Sequence, residues 1–342
     1  MIRRVYRSLA VVTLAWAGCG GSVHPRHLPI LATTVRLSET RPLMGVPWTV
    51  TLHARDRSAG EQALEAAFAE AARLERVLSD YDPESELSRL SASAPSSEPV
   101  RVGNDLWNVL VRGGEVRRLT DGAFDITVGP LTTLWRQARR SGRFPRPEKL
   151  AAARAAVGGD GVVLDPATRS VRLTRSAMRL DPGGIGMGYA ADRVLQVLAD
   201  RGVESAMVDA SGDVVVSGPP PGAEGWRIAV RGIPGDEDPE VLVLEHAAVT
   251  TSGDATQFVE IDGRRYSHIV DPRTGVGVSG PAAVTVVAPD GVTADALATA
   301  ASVLGPAAGP AVVERFPGAA ARFVWRDGEA VNTSTTAGWP GP

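Results

Sequence analysis

The segment that decides the fold reads Ser267-His268-Ile269-Val270-Asp271-Pro272-Arg273-Thr274-Gly275. It carries an imidazole and several short polar side chains, and it ends in a tight Pro/Gly turn. Upstream, Thr251-Ser252-Gly253-Asp254 reads as a hydroxyl-rich glycine turn. Downstream, Asp295 and Thr299 stand four residues apart, which places a carboxylate and a hydroxyl on one face of a helix. Together the three segments predict a site for a metal ion and a phosphate group.

The composition is that of a globular protein with a sizeable core. The chain has 342 residues, and its apolar content of 44% and charged content of 22% are ordinary values. The formal net charge of −3 gives no reason to expect bulk binding of nucleic acid, so we predict no nucleic-acid partner. The 37 Gly and 25 Pro lie mostly between apolar runs, which indicates a loop-rich mixture of helices and strands.

Strand-like runs outnumber helical ones. Their patterning predicts strands near 48–53, 162–164, 171–173, 206–208, 214–216, 226–230, 241–244, 258–261, 266–270 and 284–287. Asp262-Gly263 and Asp327-Gly328 are strong hairpin signals. Apolar residues at helical spacing predict helices over 59–79, from 104, and over 145–156, 187–201 and 293–304, with Ser58 and Glu61 as a capping box for the first. The mixture predicts an α+β fold of mostly antiparallel sheets with packed helices, rather than a doubly wound parallel sheet.

The N-terminal segment has the pattern of a bacterial lipoprotein signal. Three arginines within the first seven residues precede a short apolar run that closes on Ala17-Gly18-Cys19. We predict a signal peptide over 1–18, lipidation of Cys19, a tether over 19–36 and one large domain over 37–342. An ordinary cleaved signal with an incidental cysteine is the alternative. The apolar run is too short for a membrane-spanning anchor, and a single cysteine provides no disulfide framework.

Several of these motifs also have a plain structural interpretation. The stretch Asp181-Pro-Gly-Gly-Ile-Gly-Met-Gly-Tyr189 opens a predicted helix, so its backbone N–H groups could cradle a phosphate, but a tight turn fits equally well. Asp295, close to a helix start, could serve as a cap. His268 could be a satisfied core histidine, and 124–131 could be only a strand and a turn.

The order and density of the motifs resemble those of the ApbE-like FAD:protein FMN transferases. The resemblance runs from about Met44 to Gly305 and rests on segments 44–45, 78–81, 85–90, 122–131, 181–192, 210–213, 251–254, 267–275 and 295–299. It implies a single mixed α+β domain that binds FAD and Mg²⁺. It also implies transfer of the FMN half of FAD to a Thr or Ser hydroxyl of a target protein, with release of AMP.

The resemblance further implies roles for individual residues. His268 would be the catalytic base, and Mg²⁺ would be held by Asp295, Thr299 and the backbone carbonyl of Gly186. FAD would be contacted by Met44, Tyr81, Asp125, Thr127, Val128, Gly129, Asp181, Gly184, Met187, Thr251, Ser252, Gly253 and Asp254. A histidine with an ordinary pKa of about 6.5 suits a base near neutral pH, and Mg²⁺ suits the charge of a pyrophosphate. The chain departs from the family pattern at Met187, where a Lys is usual.

Signal and resemblance together predict a lipid-anchored enzyme of the bacterial cell envelope that faces the periplasm. Its partners would be FAD, an exported flavoprotein subunit with a Thr or Ser acceptor, and the membrane through its N-terminal lipid. One alternative is an FAD pyrophosphatase, in which water replaces the acceptor and FMN and AMP are released. Another is a non-enzymatic FAD-binding lipoprotein, which Met187 favours and which His268, Asp295 and Thr299 oppose.

Overall fold

The computed structural model of the chain describes residues 34–230, 232–236, 240–253, 257–280 and 282–341. Its helices are α1 (Arg57–Leu78), α2 (Glu86–Ala92), α3 (Asn104–Leu119), α4 (Gly129–Ser141), α5 (Pro147–Ala156), α6 (Gly186–Ala199) and α7 (Gly291–Val313). Its strands are β1 (Val35–Leu43), β2 (Val46–Ala54), β3 (Val100–Arg101), β4 (Val162–Asp165), β5 (Ser170–Leu173), β6 (Ser205–Ala210), β7 (Asp213–Val216), β8 (Trp226–Val230), β9 (Glu240–Leu244), β10 (Ala247–Gly253), β11 (Phe258–Ile261), β12 (Arg264–Val270), β13 (Gly277–Ser279), β14 (Ala282–Ala288), β15 (Ala320–Asp327) and β16 (Ala330–Thr335). The predicted α+β fold class is confirmed.

An eight-stranded sheet is the frame of the domain. Its order is β1-β2-β6-β7-β10-β14-β15-β16, and all neighbouring strands run antiparallel. Smaller antiparallel sheets are formed by β11-β12-β13, by β3-β5-β4 and by β8-β9. The predicted hairpins at 262–263 and 327–328 join β11 to β12 and β15 to β16, as the Asp-Gly pairs indicated.

The central strands of the large sheet are buried on both faces. Helices α6 and α7 cover one face, and α1 packs beside α6. On the other face the β8–β9 hairpin packs Trp226 and Leu242 against Val214 and Val249. Because both faces are covered, β14 reads Ala-Ala-Val-Thr-Val-Val-Ala with almost no polar alternation.

Helix α7 is a core helix with an unusual composition. It is the one helix among the described residues that is long and apolar enough to cross a membrane by length and composition. It packs against β10, β14 and α6, and Ala294, Leu297 and Ala298 are fully buried. A positive φ at Gly305 kinks it. The apolar character of α7 therefore comes from its place in the core.

A buried ion-pair network ties the β8–β9 hairpin to the large sheet. Arg322 on β15 is 2% exposed and pairs with Asp236 at 3.1 Å and with Glu240 at 3.0 Å. The indole N–H of Trp339 donates to the other oxygen of Glu240 at 2.8 Å. Buried charges of this kind need every partner, so the network fixes the hairpin against β15.

A second, smaller core lies beside the sheet. Helices α4 and α5 pack on β11–β13 around Leu131, Trp135, Tyr266 and Val270. We call residues 129–156 and 257–280 the small lobe. The indole N–H of Trp135 donates to the carbonyl of Gly275 at 2.9 Å, which anchors the loop after β12 to α4.

Some local predictions were wrong. Asp56, not Ser58, caps α1, because its carboxylate accepts the N–H of Ala59 at 2.8 Å. Residues 251–253 continue strand β10 instead of forming a turn, since β14 pairs with them. Segment 124–131 leads into α4 rather than into a strand.

Strand β1 begins at Val35, two residues before the predicted start of the domain at residue 37. The predicted signal peptide, Cys19 and Asp254 lie outside the described residues.

Candidate functional site

Two glycines allow the N-terminal ends of α6 and α7 to meet. A Cβ on Gly188 would lie 2.1 Å from the carbonyl oxygen of Gly291 and 2.9 Å from the Cβ of Asp295. A Cβ on Gly291 would lie 2.7 Å from the carbonyl oxygen of Gly188. Real side-chain carbons do not approach so closely, so only glycine fits at this crossing. The crossing brings Asp295 on α7 to the start of α6.

The N-terminus of α7 is held by carboxylates. Asp290 accepts the N–H of Thr293 at 2.8 Å. Asp192 on α6 accepts the N–H groups of Gly291 at 2.7 Å and Val292 at 2.9 Å. Burial raises the pKa of Asp192 to about 6, against the two N–H bonds that lower it. Both acids thus satisfy N–H groups that the helix itself leaves unpaired.

Asp295 is a buried carboxylate at the centre of the site. It is 4% exposed and accepts the N–H of Gly188 at 3.1 Å. Burial, followed by the charge of Asp213, raises its pKa well above the ordinary range. Loss of hydration also raises the pKa of Asp213 to about 6, although the Thr250 hydroxyl bonds to its charged form. Asp295, which is buried, and Asp213, which is half-buried, are therefore carboxylates whose charges repel each other, an arrangement that a cation would stabilise.

Thr299 lies one helical turn along α7 and faces the turn that precedes α6. A Cβ on Gly184 would lie 2.6 Å from its hydroxyl oxygen, whereas a Cβ on Gly186 would meet only Pro182. Gly184, which the resemblance assigns to FAD, is thus the glycine of this turn that lies beside Thr299. The predicted pairing of Asp295 and Thr299 on one helix face is present.

The glycine-rich turn offers carbonyl oxygens more than N–H groups. The N–H of Gly183 bonds to the side chain of Asp181 at 2.9 Å, and those of Ile185 and Gly186 bond to the carbonyl of Pro182. With the N–H of Gly188 taken by Asp295, little of the predicted phosphate cradle is left.

The donor set fits a hard divalent cation. The described residues contain no group of three or more His, Cys, Asp and Glu side chains arranged to hold a metal. A site here would combine the carboxylate of Asp295, the hydroxyl of Thr299 and a carbonyl of the turn, with Asp213 close by. Mg²⁺ prefers such oxygen ligands and is commonly bound by one or two carboxylates, waters and substrate phosphate.

A polar network joins Asp181 to Tyr81 through Arg136 on α4. Arg136 bonds to Asp181 at 3.1 Å and to Asp80 at 2.5 Å, and its guanidinium lies 4.4 Å from the ring centre of Tyr81. The hydroxyl of Thr132 donates to Asp181 at 2.5 Å. Burial and the charge of Asp181 raise the pKa of Asp80, which Arg136 opposes. Tyr81 itself is 75% exposed, so its ring is available to a planar ligand.

The predicted FAD residues of segment 125–129 have mainly structural contacts. Asp125 is 6% exposed and accepts the N–H and hydroxyl of Thr127, the Nε–H of Arg117 and the N–H of Gly159. These four donors leave its side chain little capacity for a ligand. Val128 and Gly129 lie beside Arg179, since Val128 bridges to it and a Cβ on Gly129 would meet its carbonyl at 2.5 Å. The segment therefore flanks the Asp181 turn with its backbone.

The remaining predicted FAD residues are more scattered. Thr251, Ser252 and Gly253 end strand β10, where Thr251 bonds to the hydroxyl of Thr285 at 2.9 Å. Met44 has a positive φ in the β1–β2 turn, and its N–H donates to Glu75 on α1 at 3.1 Å. Met187 is half-buried and packs on the main core. The structure joins none of these by a described contact to the Arg136 network.

His268 lies exposed on β12, in the small lobe. Its backbone N–H donates to the carbonyl of Gln257 at 3.0 Å, and its Nδ1 lies 3.1 Å from the same oxygen. A carbonyl only accepts hydrogen bonds, so Nδ1 carries the proton, and the basic atom of the neutral ring is Nε2. The ring is thus oriented with Nε2 as its basic atom.

A cavity of about 490 Å³ connects the loop that follows His268 to the segment that contains Asp125. Its lining includes Arg117, Arg175, Pro272 and Arg273. The sequence did not predict that Arg136, Asp80 and Asp213 belong to the site. Segment 210–213 is part of the family resemblance, but nothing in its sequence indicates that the carboxylate of Asp213 lies near Asp295.

Comparison with known proteins places the chain in a family. The ApbE family matches residues 44–323. The FAD:protein FMN transferase of Vibrio cholerae serotype O1 is 35% identical over 242 residues, which cover 69% of this chain and 72% of that protein. The FAD:protein FMN transferase of Escherichia coli strain K12 is 28% identical over 334 residues, with 95% and 93% covered.

Solved structures of flavin transferases have the same fold as this chain. The apo form of the Pseudomonas stutzeri flavinyl transferase ApbE has a TM-score of 0.80 and 34% identity, with 89% of this chain and 95% of that chain covered. The flavin transferase ApbE from Vibrio cholerae has a TM-score of 0.80 and 27% identity, with 89% and 98% covered. The resemblance found in the sequence is confirmed, and this chain belongs to the ApbE family.

Proposed function

We propose that this chain is a Mg²⁺-dependent FAD:protein FMN transferase that moves FMN from FAD to a Thr or Ser hydroxyl and releases AMP. The observation that carries this proposal is the junction of α6 and α7, where buried Asp295 meets Thr299 and the 181–188 turn. That junction suits a metal-assisted reaction at a pyrophosphate. The names of the relatives support the same reaction class.

Asp295, Thr299 and a carbonyl of the 181–188 turn would hold the metal. When bound, Mg²⁺ would act as a Lewis acid that neutralises negative charge on the pyrophosphate of FAD. Tyr81 and Arg136 offer an exposed aromatic face and a guanidinium to the nucleotide. The family pattern has a Lys at the position of Met187, and we propose that Arg136 supplies this cation instead.

His268 is the proposed base. The acceptor oxygen forms a bond to the phosphorus of the FMN half. The bond between that phosphorus and the bridging oxygen breaks, and AMP leaves with the electron pair. The hydroxyl proton passes to Nε2 of His268, because Nδ1–H is directed to the carbonyl of Gln257.

The test is incubation of the full-length protein with FAD, MgCl₂ and an exported flavoprotein subunit that contains a Thr acceptor, followed by intact-mass analysis and AMP assay. The proposal expects an FMN adduct and AMP in equal amounts, both lost in EDTA. AMP without an adduct would instead identify a pyrophosphatase. Bound FAD with neither product would identify a flavin-binding protein.

We also propose that Cys19 is lipidated and holds the domain at the periplasmic side of a membrane. The support is the arginine-rich start, the short apolar run and the Ala-Gly-Cys end of the signal, together with a first strand that begins at Val35. Mass analysis of the mature N-terminus should show a lipid on Cys19. A soluble product cleaved at another residue would contradict this.

A further inference from the structure

The small lobe has a charge that contrasts with the rest of the chain. Residues 129–156 and 257–280 contain nine Arg and one Lys against two Asp and two Glu, a formal charge of +6. The whole chain carries −3, so the remaining residues carry −9. Such segregation produces a local positive potential on a protein that is acidic overall.

Most of this charge is exposed and is not neutralised within the described part of the chain. Arg139, Arg140, Arg143, Arg146, Lys149 and Arg154 are all exposed and make no ion pair with a described residue. The C-terminus of α4 accounts for Arg139 and Arg140, since helix ends attract cations. It does not account for the four cations that follow in the chain.

Two of the exposed cations contact segments that adjoin His268. Arg139 donates to the side-chain oxygen of Gln257 at 2.9 Å, and the backbone carbonyl of the same Gln257 accepts from His268. On the other side, Arg154 donates to the carbonyl of Arg273 at 2.9 Å, in the loop that follows His268 along the chain. Arg139 therefore shares a contact residue with His268, and Arg154 holds the loop that begins after β12.

Resting on the proposed function, we propose that the small lobe is the docking surface for the acceptor protein, and that it selects an acceptor whose Thr or Ser is flanked by carboxylates. The acceptor hydroxyl must reach Nε2 of His268, so the acceptor must cover this face. Charge complementarity then favours an acidic segment and speeds its encounter with the site. A membrane lying on the same face would cover His268 and block the acceptor.

The test compares two synthetic peptides, each with one central Thr, which differ only in carrying Asp and Glu or Asn and Gln around it. Binding is measured by fluorescence anisotropy without FAD, and FMN transfer is measured by mass spectrometry. The full-length protein should bind and modify the acidic peptide about tenfold better at low salt, with the preference falling as salt rises. The variant Arg143→Gln/Arg146→Gln should lose most of this preference and keep its affinity for FAD. The matched variant Arg55→Gln/Arg57→Gln, which removes two exposed cations elsewhere, should keep it.

Equal binding and transfer of both peptides would overturn the inference, and so would a preference that the Arg143→Gln/Arg146→Gln variant retains. Binding of phosphatidylcholine–phosphatidylglycerol vesicles through the same arginines, with no peptide preference, would also overturn it in favour of a membrane surface. Arginine-dependent binding of the acidic peptide without any transfer would support the surface and count against the proposed function. Transfer of FMN to both peptides without a charge preference would support the proposed function and count against the docking surface.

Discussion

Replacement of Gly188 by Ala tests the helix crossing on which the site depends. The new Cβ would lie 2.1 Å from the carbonyl oxygen of Gly291, whereas carbon and oxygen normally stay about 3.3 Å or more apart. The helices would have to separate by about 1 Å, which costs roughly 1–3 kcal/mol by overpacking. Weakening the bond from the Gly188 N–H to buried Asp295 adds about 1.5–3 kcal/mol. Ala gains up to ~1 kcal/mol in helix propensity, so we expect a net loss of about 2–5 kcal/mol.

The assay is urea unfolding followed by far-UV circular dichroism and tryptophan fluorescence. Gly114→Ala in α3 is the matched control, because a Cβ there meets nothing within 4 Å. It should stabilise the protein by about 0.5–1 kcal/mol. If Gly188→Ala were as stable as the wild type, or gained as much as the control, the tight crossing would be refuted.

Three further predictions concern buried charge. Because the pKa of Asp192 is raised to about 6, the folded state holds its proton more tightly than the unfolded state between about pH 4 and 6, and stability falls as pH rises through that window. In Asp192→Asn the loss of unfolding free energy between pH 4 and pH 7 should be smaller than in the wild type by about 3 kcal/mol. Parallel pH profiles of the wild type and the variant would contradict this. Arg322→Met should cost about 3–5 kcal/mol in urea unfolding by removing the buried guanidinium that pairs with Asp236 and Glu240, whereas Arg55→Gln should change stability by less than about 1 kcal/mol. Asp295→Asn should abolish the rise in thermal midpoint that Mg²⁺ gives the wild type, measured with MgCl₂ and with EDTA; an equal rise in the variant would contradict this.

The sequence predicts most strands of this fold because their signals are local. Alternation and the Asp-Gly turns at 262–263 and 327–328 specify hairpins without knowledge of the rest of the chain. Helix α4 is not predicted because Gly129-Pro130 looks like a turn, although Pro is favoured in the first turn of a helix. Residues 251–253 look like a turn because they are small and polar, but pairing with β14 extends the strand.

The site residues differ in the same way: those related by local structure can be predicted, and those brought together by separate elements cannot. Asp295 and Thr299 are predictable as a pair because helical periodicity fixes their relation. The nearby Asp213 and the contact of Arg136 with Asp181 are not predictable, since separate elements bring them together. For Asp125 the family resemblance implies a ligand contact, and the structure adds four protein donors to its carboxylate, which no local pattern in the sequence predicts.

The central claim is that His268 accepts the proton of a protein hydroxyl during transfer of FMN. The direct measurement is the intact mass of an acceptor subunit after incubation with FAD and MgCl₂, using the wild type, His268→Asn and His246→Asn. His246 is an exposed histidine on the β9–β10 turn and provides a matched control. We expect an FMN adduct with the wild type and His246→Asn, and its loss with His268→Asn while FAD still binds. An adduct formed at the wild-type rate by His268→Asn would contradict it.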